Sequence, residues 1–337
     1  MGGDNAPGEI VHGAVLAARD PGVSVALVGP QDTLEAELAK HDARPERITV
    51  VHAPEVIGMK ESPSLAARQK KESSIVVGLK LLKSGEADAF VSAGNTGAIM
   101  AGAIMYIGRV RGIERPSIAA LMPLSGKLTV LVDAGANADA RPSYMLQWAQ
   151  MAAAYLERVW KRENPTVALL NIGEEEGKGS TLTQEAYDLL KASPLNFIGN
   201  LEGRDLPFAR ADVIVTDGFT GNVVVKTMEG MADYVMGEIR SAIKSRPWYM
   251  AAGVLLLPAF GQVRKKTDYR EYGAGPLLGT KGLVFIGHGS SDAKAISSSL
   301  RVAAESARSG MLEAIRQTAP AKAKATAGLT ADEPVSE

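Results

Sequence analysis

The chain has 337 residues, of which 46% are hydrophobic and 22% charged, and its formal net charge is −1. That length supports one large α/β unit or two domains, and the near-neutral balance excludes a general nucleic-acid binder held by phosphate neutralisation. Cysteine is absent, which excludes disulfides, thiolate metal sites and a cysteine nucleophile and fits a cytoplasmic setting.

The start, MGGDNA, has no basic segment leading into an apolar run, so no secretory leader is expected. From there, apolar runs recur along the chain. In order they are VSVALVGP (23–30), ITVVHAP (48–54), ADAFVSAGNTG (87–97), LTVLVDAGAN (128–137), TVALLNIGEEEGKGS (166–180), LNFIGN (195–200), ADVIVTDGFTGN (211–222) and GLVFIGHGSSD (282–292). Six of the eight end in Gly, Asn, Asp or Ser and the first two in Pro, and helical spacing follows them. The alternation predicts an α/β fold, three layers deep, with a mostly parallel sheet and helices on both faces. Continuous Val, Ile and Leu runs imply strands covered on both sides. Ligands of such sheets lie beyond the strands' carboxyl ends, so the polar loops are expected to share one sheet edge and one cleft.

The stretch 247–266, PWYMAAGVLLLPAFGQVRKK, interrupts the rhythm. Its apolar part is far shorter than the ~20 residues a membrane-spanning helix needs. It reads either as a buried helix or dimer contact, or as a surface anchor. In the second reading Trp248 and Tyr249 sit at a lipid interface, Leu255, Leu256, Leu257 and Phe260 insert, and basic residues face anionic headgroups. The expected organisation is one unit over 1–318, with a helical protrusion over 234–270 and a disordered tail over 319–337.

Several familiar motifs fail. GEEEGKGS lacks the spacing and the Lys-Ser/Thr ending of a nucleotide loop, and GHGSSD has Asp292 where a dinucleotide fingerprint needs its third glycine. His12, His41, His52 and His288 have no metal-ligand spacing, so no metal and no cofactor are expected. What remains is oxyanion binding by backbone N–H groups at Gly94–Gly97, Gly218–Asn222 and Gly289–Ser291. Asp133, Asp217 and Asp292 each follow a strand. Carboxylates repel an anion, so they are expected mostly to fix loop N–H groups.

MGGDNAP, SAGNTGA (92–98), DAGAN (133–137), NIGEEEGKG (171–179), TDGFTGN (216–222) and HGSSD (288–292) together resemble the phosphate acyltransferases of bacterial phospholipid synthesis, the PlsX family. The resemblance runs from residue 1 to about 310. It implies a fold similar to the phosphotransacetylases and isopropylmalate dehydrogenases. The implied reaction joins long-chain acyl-[acyl carrier protein] and inorganic phosphate into acyl phosphate, releasing free carrier. The product would feed glycerol-3-phosphate acylation, so a glycerol-3-phosphate acyltransferase is an expected downstream partner. The implied state is a homodimer peripherally associated with the cytoplasmic membrane face.

By the same resemblance Lys178 and Asn222 are the catalytic candidates, the alternatives being a solvated lysine answering Glu174–Glu176 and a helix-capping asparagine. Asp4, Asn95, Thr96, Gly97, Asp133, Asn137, Asp217, Thr220, Gly221, His288, Ser290 and Ser291 are candidate phosphate or substrate contacts. Arg240, Lys244, Arg246, Arg264, Lys265 and Lys266 offer a basic landing area for the acidic carrier. The family also carries an apolar strand ending in Asp-Ala just before MGGD, so the true start is expected upstream of Met1. The rival readings are a short-chain phosphotransacetylase using coenzyme A and a non-catalytic membrane scaffold.

Overall fold

The computed structural model describes residues 1–41 and 46–319, with the side chains of 263–267 and 269 outside that description. Arg264, Lys265, Lys266 and the expected tail beyond 319 therefore lie outside the described residues. The chain opens with α1 (Gly8–Ala17), β1 (Val25–Gly29), α2 (Gln31–Leu38) and β2 (Ile48–His52). After α3 (Pro63–Gln69) and α4 (Ser74–Ser84) come β3 (Ala89–Ser92) and α5 (Thr96–Gly102). The middle of the chain is β4 (Ser117–Leu124), β5 (Lys127–Val132), α6 (Pro142–Val159), β6 (Thr166–Asn171), α7 (Thr181–Lys191), β7 (Asn196–Glu202) and β8 (Val213–Val215). It ends with α8 (Gly218–Lys244), α9 (Pro247–Thr267), β9 (Gly275–Leu278), β10 (Leu283–Ile286), α10 (Ala293–Arg308) and α11 (Met311–Thr318).

All eight apolar runs form strands, and helices cover both faces of a mixed, mostly parallel sheet. Eight strands pair in the order β3-β10-β9-β4-β5-β8-β6-β7, while β1 and β2 form a separate parallel pair. Val130, Leu131, Val132, Val213, Ile214 and Val215 are completely buried. On one face Val130, Val132, Val213 and Val215 join a cluster with Met145, Trp148 and Tyr155 of α6. On the other, Leu131 and Ile214 meet Val224, Val225 and Met228 of α8. The alternating strand residues therefore anchor α6 and α8 to opposite faces, which fixes where α8 runs.

The expectation of a single loop-bearing edge is corrected by the topology. Three antiparallel pairs, β10/β9, β9/β4 and β4/β5, separate β3 and β10 from β5, β6, β7 and β8. An odd number of reversals points the two groups in opposite directions. SAGNTG and HGSSD leave one edge of the sheet; DAGAN, NIGEEEGKG and TDGFTGN leave the other.

Between the facing, unpaired edges of β1 and β3 lies a cavity of about 750 Å³, lined in part by Val25, Leu27, Phe90, Ile296 and Leu300. It touches the polar loops only around Gly3 and Ser92–Gly94. Its lining also includes Glu46, Arg47, Glu86, Asp88 and Arg308, but the loops of Lys178 and Asn222 do not reach it.

The stretch around 247–257 is not a buried helix within this chain. It forms α9, which touches α8 where Gly253 approaches Ile243, and it leaves Trp248, Tyr249, Leu255, Leu256 and Leu257 exposed, with Phe260 partly covered. Leu255 is 82% exposed. Among the described residues no helix is long and apolar enough to cross a membrane.

Candidate active site

The loop after β8 becomes the start of α8 because Asp217 caps it. Its carboxylate accepts from Thr220 N at 2.9 Å and from the Thr220 hydroxyl at 2.7 Å. Thr220 and Asp217 therefore satisfy each other, and the capping alternative for Asn222 falls, since Asn222 lies five residues further on. Asn222 is exposed and rests against Gly135 of the DAGAN loop.

DAGAN and TDGFTGN pack back to back. Asp133 is fully buried and accepts from Ile118 N (2.9 Å), Ala136 N (3.2 Å), Asn137 N (2.7 Å) and Asn137 Nδ2 (3.0 Å). Burial raises its pKa, and those hydrogen bonds oppose the rise without cancelling it. Asn137 also donates to Pro116 O at 2.8 Å, and its carbonyl accepts from Gly218 N. Both side chains organise the loop. Gly221 is required by proximity: a Cβ there would lie 1.9 Å from Asp133 O.

On the neighbouring strand β6, parallel to β8, the loop 172–179 is pinned from several sides. Asn171 donates to Lys178 O (3.0 Å), Gln184 to Gly177 O (2.9 Å) and Asn200 to Glu175 O (2.9 Å). Gly179 takes φ +93°, a conformation L side chains rarely adopt. The three glutamates do not answer Lys178. Glu174 pairs with Arg210 at 3.7 Å, and Glu176 pairs with Lys191 at 2.8 Å while accepting from Tyr187. The Lys191 contact holds Glu176 below the usual carboxylate range. Lys178 is exposed and, among the described residues, its ammonium has no hydrogen-bond or ion-pair partner. A rigid loop with a free cation beside the Asn222 loop is an arrangement able to stabilise an oxyanion.

At the opposite edge the MGGDNA, SAGNTG and HGSSD loops gather. Asp4 N donates to Gly289 O (2.9 Å), and Asn5 Nδ2 donates to Ser290 O (3.0 Å). The Asp4 carboxylate is exposed beside Gly289. Asn95 is buried, caps α5 through Ala98 N (3.0 Å) and donates to Gly58 O (3.1 Å) and Met59 O (3.2 Å), so its amide organises the 58–61 loop. Thr96 is exposed on the first turn of α5, and Gly97 packs on Pro63. Ser291 closes a turn onto His288 O at 2.6 Å, whereas His288 and Ser290 are exposed. Among the described residues no cluster of three or more His, Cys, Asp or Glu side chains is arranged to hold a metal ion.

Helix α8 runs back along the sheet face and links the two loop groups. Lys226, one helical turn beyond Asn222, reaches His288 Nε2 and also donates to Glu229 at 3.0 Å. Behind His288, Asp292 caps α10 and accepts from Arg270 at 2.8 Å. Arg270 and Lys294 both bind Asp268, at 2.7 and 2.9 Å. Burial pushes the Asp268 carboxyl up, but the hydrogen bonds from Arg270 and Lys294 outweigh it and hold it at about 2. Lys226, Glu229, Asp268 and Arg270 were not singled out by sequence; only the four-residue spacing from Asn222 to Lys226 hints at a shared helix face.

A family model described as "Fatty acid synthesis protein" matches residues 1–314. The chain is 50% identical over 305 residues to a phosphate acyltransferase from Dictyoglomus turgidum, covering 90% of this chain and 91% of that one. It is 48% identical over 323 residues to a phosphate acyltransferase from Heliobacterium modesticaldum, covering 96% of each. The chain belongs to the phosphate acyltransferase family. As a phosphate acyltransferase family member it is an acyltransferase. Its fold is similar to a phosphotransacetylase from Streptococcus pyogenes (TM-score 0.61, 16% identity, 90% of this chain and 92% of that one). It is also similar to a branched-chain phosphotransacylase from Enterococcus faecalis (TM-score 0.51, 15% identity, 84% and 99%). Within the phosphate acyltransferase fold, then, Lys178, Asn222, Thr96, His288 and Ser290 are exposed on the two loop groups, while Asp133, Asn137, Asn95, Asp217 and Ser291 are buried or partly buried and hold the loops in place.

Proposed function

We propose that the chain transfers a long-chain acyl group from acyl carrier protein to inorganic phosphate, giving acyl phosphate and free carrier for phospholipid synthesis. The observation that carries this reading is the unpartnered ammonium of Lys178 on a pinned loop next to the loop of Asn222. Inorganic phosphate is an anionic oxygen nucleophile near neutral pH, so no acyl-enzyme is needed. A phosphate oxygen attacks the thioester carbonyl carbon, and the carbonyl oxygen takes up negative charge. Lys178 and the Asn222 amide stabilise that oxyanion. The C–S bond then breaks, and the carrier thiolate leaves and takes a proton.

The exposed apolar face of α8 and α9 supports peripheral contact with the inner membrane face, or a homodimer built on the same face. Trp248 and Tyr249 lie close to Arg246, whose guanidinium stands 5.4 Å from the Trp248 ring, and Leu255–Leu257 are exposed further along the same helix. Arg240, Lys244 and Arg246 are exposed and offer carrier protein a basic approach. An acyl phosphate released at such a surface is positioned for a glycerol-3-phosphate acyltransferase. Mass detection of acyl phosphate from palmitoyl carrier protein and orthophosphate tests the reading. Turnover of acetyl-coenzyme A in its place supports the short-chain alternative, and vesicle binding without any turnover supports a scaffold.

A further inference from the structure

We propose that Lys226, His288 and Glu229 form the inorganic phosphate subsite, with Lys226 and the His288 Nε2–H donating to the ion and Glu229 accepting the ion's own O–H. The inference rests on the proposed transfer of an acyl group to inorganic phosphate, and it names the groups that hold the nucleophile. Ser290 N–H donates to His288 Nδ1 at 3.3 Å, so Nδ1 keeps its lone pair and the proton of the neutral ring is on Nε2. The Ser290 hydroxyl, 2.7 Å from Nδ1, turns its hydrogen to the same lone pair and is therefore not the outward donor of this loop. Nε2–H instead faces the Lys226 ammonium in direct contact, and an ammonium has donors but no acceptor. Two donors do not bond each other. The acceptor at hand is the Glu229 carboxylate, 3.0 Å from Lys226 Nζ but 3.8 Å from Nε2, too far to accept from the ring.

One anionic oxygen placed between Nε2–H and the ammonium satisfies both donors. Lys226 has room to admit it, since its side chain is half exposed. Lys226 follows Asn222 by four residues, so the two side chains are neighbours on one face of α8. An ion held by Lys226 therefore lies next to the amide that receives the thioester oxygen. Glu229 selects among ions. Its carboxylate, and that of Asp4 exposed beside Gly289, repel an anion that offers only lone pairs. Inorganic phosphate near neutral pH keeps an O–H in both its monoanionic and dianionic forms, and Glu229 accepts it; sulfate has none to give. A merely structural pairing of Lys226 with Glu229 would not distinguish the two ions.

Calorimetric titration of the full chain with inorganic phosphate and with sulfate tests the subsite. The wild type should bind phosphate at least about tenfold more tightly than sulfate, the cost of leaving a charged acceptor facing lone pairs. Lys226→Met should weaken phosphate binding by about tenfold or more, the loss of a hydrogen bond between charged groups. Glu229→Gln, whose amide donates as well as accepts, should bring the two affinities to within about threefold. The KM for phosphate in the acyl phosphate assay should follow the same order. Long-range proton–nitrogen NMR correlations, in mildly alkaline buffer, should show His288 as the Nε2–H tautomer, with Nε2 shifting as phosphate is added. Phosphate affinity and KM unchanged in Lys226→Met, a phosphate-to-sulfate ratio unchanged in Glu229→Gln, or Nδ1–H in the wild type overturns the subsite. If the wild type neither binds phosphate nor yields acyl phosphate, the proposed function fails; if it yields acyl phosphate while the variants keep wild-type values, only the subsite fails.

Discussion

Replacing Gly221 with Ala sets two effects against each other. Gly221 lies in the first turns of α8 and has ordinary helical backbone, so Ala gains up to about 1 kcal/mol of helix propensity. The added methyl, however, would lie 1.9 Å from Asp133 O and 3.1 Å from Leu131 Cδ2. The first of these is a backbone carbonyl in a loop already held by four donors to the Asp133 carboxylate, so it cannot swing aside as a flexible side chain would. Relief requires α8 to move off the DAGAN loop, and overpacking of this kind costs typically ~1–3 kcal/mol or more. The clash wins, for an expected net loss of about 1–2 kcal/mol. Displacing the helix start also moves Asn222, so kcat should fall with stability. Gly230→Ala is the control, because it lies in the same helix with nothing within 4 Å of the new methyl. It should gain about 0.5–1 kcal/mol from propensity alone. Urea midpoints and kcat of both variants check the reasoning. A Gly221→Ala protein as stable and active as the Gly230→Ala protein would refute the packing argument.

Lys178→Ala should lower kcat by about 10²–10³, the size of a lost oxyanion donor. Its melting temperature should stay unchanged, since the ammonium has no partner to lose; undiminished turnover removes Lys178 from the chemistry. Asp268 has a folded pKa of about 2, below its unfolded value of 3.8. Its contribution is therefore fully present above pH 4 and is lost as pH falls through about 2; the shift corresponds to about 2 kcal/mol. Asp268→Asn should be less stable than the wild type by that order at neutral pH, with the gap closing in acid. A gap constant with pH rejects the assignment. Leu255→Glu combined with Leu257→Glu should keep the fold within about 0.5 kcal/mol, both positions being exposed. The same variant should weaken co-sedimentation with anionic vesicles by at least about 100-fold, from the loss of ~1.5–3 kcal/mol of apolar burial per leucine. Unaltered vesicle binding excludes this face as the anchor.

The parallel strands were legible because burial on both faces writes them as unbroken Val, Ile and Leu runs. The two strands that sequence did not reveal, β4 and β9, are the ones that reverse the sheet. SIAALMPL of β4 is alanine-rich and contains Pro123, and GPLL of β9 starts with Gly-Pro, compositions that strand propensity disfavours. Ser125-Gly126 was the available signal. Both residues have positive φ and close a two-residue hairpin between β4 and β5. Missing that hairpin is what put every polar loop on one edge. The loops themselves were readable as motifs, but the division of labour within them was not. Asn95 and Thr96 are adjacent in sequence, and only burial separates an amide holding three loop carbonyls from a hydroxyl open to solvent. Lys226 was silent for the same reason, because its partner His288 is 62 residues away.

Asp268, Arg270 and Asp292 have a mechanical consequence. The far end of α9 is bolted through charged side chains to the residue that starts α10, four positions past His288. Displacing the far end of α9 would therefore pull, through Arg270, on the first turn of α10.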